Sequence, residues 1–329
     1  MGMLQSLPAD QVAETNRRRI DLRDILARYG TLIALVLLVI IASILSPRFL
    51  STVNLMNVLR QTSIIGVLGI GMTFVILTAG IDLSVGATLA LSAVLLAGTL
   101  ESTGNIWLSM AIGIAAGMAV GLANGIGVTF GRVQPFVMTL GMLGIARSLA
   151  FLYTHGEPIP VVDMRFLKLG IGYLWKVPIP SVIFLVLLVI AALVLHYTPF
   201  GRYVYAIGSN EEAARLSGVD VRKYKIVVYV ISGATAAIGA ILYCAQFAAA
   251  PAIAGEGYEL DAIAAVVVGG TSLFGGQGGV IGTFLGALII GILSNILNLT
   301  GVSPFAQPLA KGALIILAVW IVGRGQRSA

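Results

Sequence analysis

Asp82, in the stretch Gly80-Ile81-Asp82-Leu83-Ser84, and Asp261, at the head of an apolar run, are carboxylates set against some of the oiliest segments of this chain. An ionised carboxylate is costly at membrane depth, so such a group caps a helix, pairs with a cation or serves a ligand or ion path. Capping is the simplest chemistry open to Asp82, whose carboxylate can accept the backbone N–H of Ser84 or Val85. Asp82→Asn would keep such a cap and remove a charge-dependent step. Asp261 opens its run in the same way, with Glu256 and Glu259 just before it on an acidic turn. Two cations also fall inside apolar blocks. Lys311 lies near the start of its block and can snorkel, whereas Arg147 lies near mid-block and requires protein or a water-filled cleft around it.

Catalytic chemistries lack their parts. Cys244 is the single cysteine and sits in an apolar block, which leaves no disulfide and no thiolate metal site. His155 and His196 are far apart and stand in no ligand-like cluster, so no metal is expected. Nothing has the pattern of a Ser-His-Asp set, and no paired carboxylates flank a pocket. The sequence contains no G-x-x-x-x-G-K-[ST], and its glycine-rich stretch FGGQGG, Phe274 to Gly279, has no lysine to reach a phosphate.

The elements that position these residues follow from composition. The 329 residues are 58% hydrophobic with a mean hydropathy of +1.00, and the apolar residues come in long blocks, which fits a polytopic membrane protein and not a water-soluble core. About 20 helical residues cross a hydrocarbon core of about 30 Å. The blocks 29–45, 62–79, 84–100, 106–130, 135–153, 178–196, 226–248, 260–273, 280–297 and 305–322 therefore predict an all-α polytopic fold of about ten transmembrane segments. The eighth is short and ends in Gly269-Gly270, which suits a re-entrant half-helix buried among its neighbours. The first block lacks a small-residue cleavage site and reads as a retained span.

Arginine and lysine set the orientation. Arg17, Arg18, Arg19, Arg23, Arg28, Arg132, Arg202, Arg215, Arg222, Lys223, Lys225, Arg324 and Arg327 fall inside when both termini are cytoplasmic, against Arg48, Arg60, Arg165, Lys168 and Lys176 outside. The expected organisation is a cytoplasmic segment 1–28, a membrane domain 29–323 with a cytoplasmic loop 197–225, and a cytoplasmic tail 324–329. The net charge of +6 is then a topology signal and not a nucleic-acid groove. Gly113, Gly117, Gly121 and Gly125 recur every four residues and make a smooth helix face for close packing; Gly278, Gly282 and Gly286 repeat the device.

The cytoplasmic loop holds a small charged element. Asn210 can cap a two-turn helix whose first turn carries Glu211 and Glu212, and Gly218 stands where a left-handed residue would end it. So short a helix is marginal alone, and the small faces of Ala213 and Ala214 call for a partner against it. Arg222, Lys223 and Lys225 follow at the headgroup boundary, where anionic membrane lipid favours them.

The run EEAARLSG, with Glu212-Ala213-Ala214, three residues and then Gly218, resembles the first half of the cytoplasmic signature by which permease subunits of ABC importers dock on their ATPases. The usual Ile-x-Leu-Pro ending is missing, which sets the chain apart from permeases of the maltose type. GIDLSVGATLAL (Gly80 to Leu91), GRYVYAIGSNEEAARLSGV (Gly201 to Val219) and GYELDAIAAVVVGGTSLFGGQGG (Gly257 to Gly279) resemble instead the ribose-type permeases of monosaccharide importers, a family that also includes branched-chain amino acid permeases. The resemblance runs from about the first span to the last. It implies a multi-pass protein of the bacterial inner membrane that binds no cofactor itself, since ATP and magnesium belong to the partner ATPase. It also implies a second permease subunit in a homodimer and an extracytoplasmic sugar-binding protein. Asn210, Glu211, Glu212, Ala213, Ala214, Arg215, Ser217 and Gly218 would couple to the ATPase. Asp82, Ser84, Asp261, Gly269, Gly270, Thr271 and Ser272 would line the translocation path or its gate, the segment from Asp261 lying near the outer gate. Glu256 and Glu259 would meet the binding protein. A branched-chain amino acid or nucleoside is the alternative cargo. An ion-coupled secondary transporter could use Asp82 and the Gly269-Gly270 break, but has no use for a gripped cytoplasmic helix.

Overall fold

The computed structural model describes residues 22–303 and 305–313, with side chains from residue 29 onward. Residues 1–21 of the expected cytoplasmic segment 1–28, the remainder of the last span beyond residue 313 and the tail 324–329 lie outside the described residues. The chain runs α1 (Leu22–Leu45), α2 (Thr52–Leu77), α3 (Val85–Thr103), α4 (Ile106–Thr129), α5 (Pro135–Thr154), β1 (Ile159–Pro160), α6 (Met164–Ile171), β2 (Tyr173–Leu174), β3 (Val177–Pro178), α7 (Ile179–Tyr197), α8 (Pro199–Ser209), α9 (Glu211–Leu216), α10 (Val221–Phe247), β4 (Ala249–Ala250), α11 (Tyr258–Val268) and α12 (Val280–Leu299), followed by a helical stretch over 307–313. Among the described residues, seven helices are long and apolar enough to cross a membrane: α2, α3, α4, α5, α7, α10 and α12. The four strands are two residues each and pair as β1 with β4 and β2 with β3, so the fold is a helical polytopic one.

Three differences from the sequence pattern have physical causes. Helix α2 starts ten residues before the apolar block beginning at Thr62, because Ser51 caps it by accepting the Asn54 N–H at 3.3 Å and Arg60 is held by the Tyr173 hydroxyl at 2.8 Å. The loop 197–225 is largely helical: Thr198 accepts the Gly201 N–H at 3.3 Å and Pro199 opens α8. Helix α11 stops after 11 residues, about half a crossing, and the chain continues as glycine-rich turns with Gly270, Gly275, Gly276 and Gly278 all at positive φ.

Helix α10 is the axis of the bundle, with α2, α3 and α4 around it, while α1, α5 and α7 carry apolar faces outward. The glycine stripe on α4 performs the expected packing. An added Cβ at Gly117 would collide with the Gly233 carbonyl of α10, and one at Gly121 with the Tyr229 carbonyl. Gly282 and Gly286 on α12 likewise press on the backbone of Gly269 and Ala265. The two ends of the bundle differ. One carries α8 and α9, with Ala214, Ile207 and Val221 buried together; the other carries α6, the β2–β3 hairpin, the long-range β1–β4 pair and the 307–313 stretch.

At that second end α2 and α12 are joined by a reciprocal amide pair. Asn54 Nδ2 donates to Asn295 Oδ1 at 3.0 Å and Asn295 Nδ2 donates to Asn54 Oδ1 at 2.8 Å, both side chains being buried. Asn54→Ala and Asn295→Ala are each expected to lower the melting midpoint in detergent, and the double variant to cost less than their sum by about 1 kcal/mol. Strict additivity in that double-mutant cycle would mean that the pair does not hold the helices together.

Candidate functional site

Helix α9 is built as its sequence dictates. Asn210 Oδ1 accepts the Ala213 N–H at 2.9 Å, and Gly218, at φ 85°, follows the helix in the left-handed region. Arg215 grips Glu212 with two parallel bonds, Nε to Oε2 at 3.1 Å and a terminal nitrogen to Oε1 at 2.6 Å. That guanidinium holds the Glu212 carboxyl below the usual carboxylate range, so the pair stays charged at neutral pH. Glu211 is bound by Lys225 from α10, and Ser217 Oγ donates back to the Ala213 carbonyl at 2.9 Å. Ala214 is the residue that buries; Leu216 is 78% exposed beside the Glu212–Arg215 pair.

Helix α9 is tied to the membrane helices through α8. Gly208 lies so close to the end of α2 that an added Cβ would overlap the Leu77 carbonyl oxygen and stand 2.5 Å from the Gly276 nitrogen. Gly276 N–H itself donates to Leu77 O at 3.0 Å, and the Tyr205 hydroxyl of α8 donates to Gly278 O at 2.9 Å. Through α8, helix α9 is thus tied to the end of α2 and to the turns between α11 and α12.

Asp82 sits in a buried polar knot a short way inside that end. Its Oδ1 accepts Ser84 N–H at 3.0 Å and Ser84 Oγ at 2.6 Å, and its Oδ2 accepts Ser232 Oγ of α10 at 2.8 Å. Asn124 of α4 donates to Ser84 Oγ at 2.9 Å, and Thr139 of α5 donates to the Ile81 carbonyl at 3.1 Å. The carboxylate therefore fastens the start of α3 to α10, and through Ser84 to α4.

The other expected path residues are divided between the two ends. Gly269 packs on the Gly282 backbone; Thr271 and Ser272 are buried, Thr271 Oγ1 accepting Gly279 N–H at 3.2 Å and Ser272 Oγ accepting Phe274 N–H at 3.3 Å. This break closes on α8 and the end of α2, at the α9 end, and not beside Asp261 at the opposite end of α11. The cause is the run of positive-φ glycines, which lets backbone meet backbone where a side chain would not fit.

Asp261 faces a cavity of about 280 Å³ between α2, α10, α11, α12 and the 307–313 stretch, and its Oδ2 accepts Lys311 Nζ at 2.7 Å. Arg147 also finds a partner: its guanidinium donates to the carbonyls of Ala252, at 2.6 Å, and Ala254, at 2.9 Å. It thereby holds the loop between β4 and α11 against α5. Glu256 is exposed, whereas Glu259 turns inward toward Gly86 of α3, with Oε2 buried. The two acids thus do not share one outer surface. Arg147→Met would leave both carbonyls without their charged donor at a cost of about 2–3 kcal/mol, so amide exchange over residues 251–257 is expected to rise roughly 30- to 100-fold. Exchange equal to the parent protein in that loop would free Arg147 of this role. Among the described residues no three His, Cys, Asp or Glu side chains gather to hold a metal.

A family model described as branched-chain amino acid transport system/permease component matches residues 54–319. The chain belongs to this permease family. The permease is 46% identical over 308 residues to a ribose import permease protein of Bacillus subtilis strain 168, covering 93% of this chain and 96% of the relative. It is 45% identical over 301 residues to the ribose import permease protein of Escherichia coli K12, covering 90% and 94%. An L-arabinose transport system permease protein of the same strain is 35% identical over 292 residues, 89% of each chain. No solved structure matches the permease. It is a transport component and a multi-pass inner-membrane protein.

Sequence reasoning on the permease missed Ser232, Asn124 and Tyr229 around Asp82, and Thr62 and Gln246 beside Asp261. Asn124 and Ser232 had a readable signal, since each is a polar residue next to a packing glycine inside an apolar span. Thr62 and Gln246 had none, because only the fold brings them to the same cavity as Asp261.

Proposed function

We propose that the permease imports a monosaccharide of the ribose type, handed over by an extracytoplasmic binding protein and driven by ATP hydrolysis on partner subunits. The single observation that carries this reading is α9, a capped and ion-paired helix with Leu216 uncovered, joined through Gly208 to the end of α2 and to the turns before α12. The identity of 45–46% with ribose import permeases, over nearly the whole of those relatives, supports the cargo class. In this reading the permease works as a homodimer with both termini cytoplasmic and about ten crossings. Asn210 to Gly218 meet the ATPase, and the α9 end is the cytoplasmic one. Asp82 and Ser84 with Gly269 to Ser272 form the inner part of the moving frame. Asp261 stands toward the outer side, with Glu256 on the surface that meets the binding protein.

The test is reconstitution with a fused double ATPase and a sugar-binding protein in vesicles. ATP-dependent uptake of labelled D-ribose is expected, with no uptake of leucine or a nucleoside. Uphill transport on a proton or sodium gradient by the purified chain alone would replace this reading with a secondary transporter.

A further inference from the structure

A groove of about 500 Å³ lies at the α9 end of the bundle, between the end of α4 and the start of α10, lined by Phe130, Asp220, Arg222, Lys223, Ile226 and Val227. Both helices are long and apolar enough to cross a membrane, so their ends, and the groove with them, stand where a bilayer surface meets the protein. One half of the groove is apolar. Phe130 is 61% exposed and ends a row of exposed side chains, Met118, Leu122 and Ile126, that recur every four residues on one face of α4 and run from the groove toward the middle of the span.

The other half is basic. Arg222 and Lys223 are exposed, and neither makes an ion pair among the described residues. Lys225, two positions on, is already bound by Glu211 and does not belong to this group. The acid of the groove, Asp220, faces the start of α10, where its Oδ1 accepts the Lys223 N–H at 3.2 Å. Arg222 lies over the Phe130 ring, 5.4 Å from its centroid, which holds the guanidinium at the border of the two halves with its nitrogens free to donate in parallel to a phosphate. Arg132, exposed two positions beyond Phe130, adds a further cation at the end of α4.

The two halves together select the occupant. A soluble anion would use the cations and leave the α4 row bare, and a zwitterionic headgroup would bring its own cation up to Arg222. A water-soluble protein partner does not reach a row that descends into the span. We propose that this groove binds one anionic phospholipid per protomer, its phosphate on Arg222 and Lys223 and an acyl chain along Phe130, Ile126 and Leu122. Val221, the neighbour of Arg222, is buried with Ala214 of α9 and Ile207 of α8, so a lipid held here also steadies the corner that carries α9. With the α9 end cytoplasmic, as proposed above, the lipid belongs to the inner leaflet; the binding itself depends neither on that assignment nor on the cargo.

The experiment is native mass spectrometry of the full-length permease in detergent, titrated with phosphatidylglycerol or phosphatidylcholine of identical acyl chains. One phosphatidylglycerol per protomer is expected to bind roughly 10- to 30-fold more tightly than phosphatidylcholine, the preference that two basic side chains at a membrane surface supply. Arg222→Gln with Lys223→Gln is expected to remove that preference, Phe130→Ala to weaken it several-fold, and Lys168→Gln, an exposed cation outside the groove, to leave it intact. Phosphatidylglycerol is also expected to raise the melting midpoint of the parent and not that of the double variant. Equal binding of the two lipids by the parent, or a preference that survives the double variant, overturns the site. Displacement of the lipid by glycerol phosphate or inorganic phosphate at matching concentration would make the groove a soluble-anion site instead. A double variant that keeps the lipid preference but loses its partner ATPase or a second permease subunit would give the groove to a protein partner.

Discussion

Gly208→Ala is expected to abolish ribose uptake by the assembled importer while the permease still inserts and still supports ATP hydrolysis by its partners. A single methyl at this position would overlap the Leu77 carbonyl oxygen and stand 2.5 Å from the Gly276 nitrogen, so it enters the hydrogen bond that joins the end of α2 to the turns before α12. Neither neighbour can rotate away, since both are backbone. Overpacking of this kind costs about 1–3 kcal/mol and the broken bond about 1 more, so α8 relieves the clash by moving outward. On the proposed coupling, helix α9 then sits where a partner ATPase still finds it but where its displacement no longer reaches α2. Gly218→Ala is the matched control. Gly218 is at φ 85° with no heavy atom within 4 Å of the added Cβ, so the cost is only the left-handed backbone, about 1 kcal/mol, and uptake falls modestly. Uptake and ATP hydrolysis measured on the same vesicles decide the matter. Parent-like uptake in Gly208→Ala would mean that force does not travel through this junction.

The contrast between these two glycines also marks what can be read from sequence. Gly218 was legible because its role is local: a short helix capped by Asn210 needs a residue that tolerates positive φ at its end, and both signals lie within nine positions. The glycine stripe on α4 was legible for the same reason, since period and residue type suffice to predict a close-packed face. Gly208 was not, because the atoms that forbid a side chain belong to Leu77 and Gly276, more than sixty positions away on either side. The same distance hid the partners of Arg147 and Lys311. Arg147 binds carbonyls 105 and 107 positions downstream, and Lys311 reaches back 50 positions to Asp261. Hydropathy foresaw the short eighth segment, yet it could not show which end of the bundle the Gly269 break would close on, because apolarity carries no sign along the membrane normal. The helices α6 and α8 escaped notice for a simpler reason. They begin at Asp163 and Thr198 caps inside stretches too polar or too short to register as spans.

Asp82 separates the two roles that a buried carboxylate can have. All three hydrogen bonds it receives hold the start of α3: Ser84 N–H and Oγ on one oxygen, Ser232 Oγ on the other. Removing the carboxylate in Asp82→Ala leaves hydroxyls that can turn toward other acceptors, but the Ser84 N–H is fixed and loses its acceptor. A net cost of about 3 kcal/mol follows, with a lowered melting midpoint and loss of uptake. Asp82→Asn keeps an acceptor for Ser84 and presents an amide donor to Ser232, whose oxygen can accept once its proton turns away, so the knot survives at a cost of about 1 kcal/mol or less. Tyr229→Phe removes a buried phenol that has no partner among the described residues, and it is expected to leave the melting midpoint unchanged or raised. The expected order of stability is therefore Tyr229→Phe at or above the parent, Asp82→Asn just below it and Asp82→Ala far below, with uptake following the same order. That order makes Asp82 a fastener whose geometry matters more than its charge. If Asp82→Asn melts with the parent yet loses uptake, the charge itself takes part in transport, and the knot is part of the moving path instead of its frame.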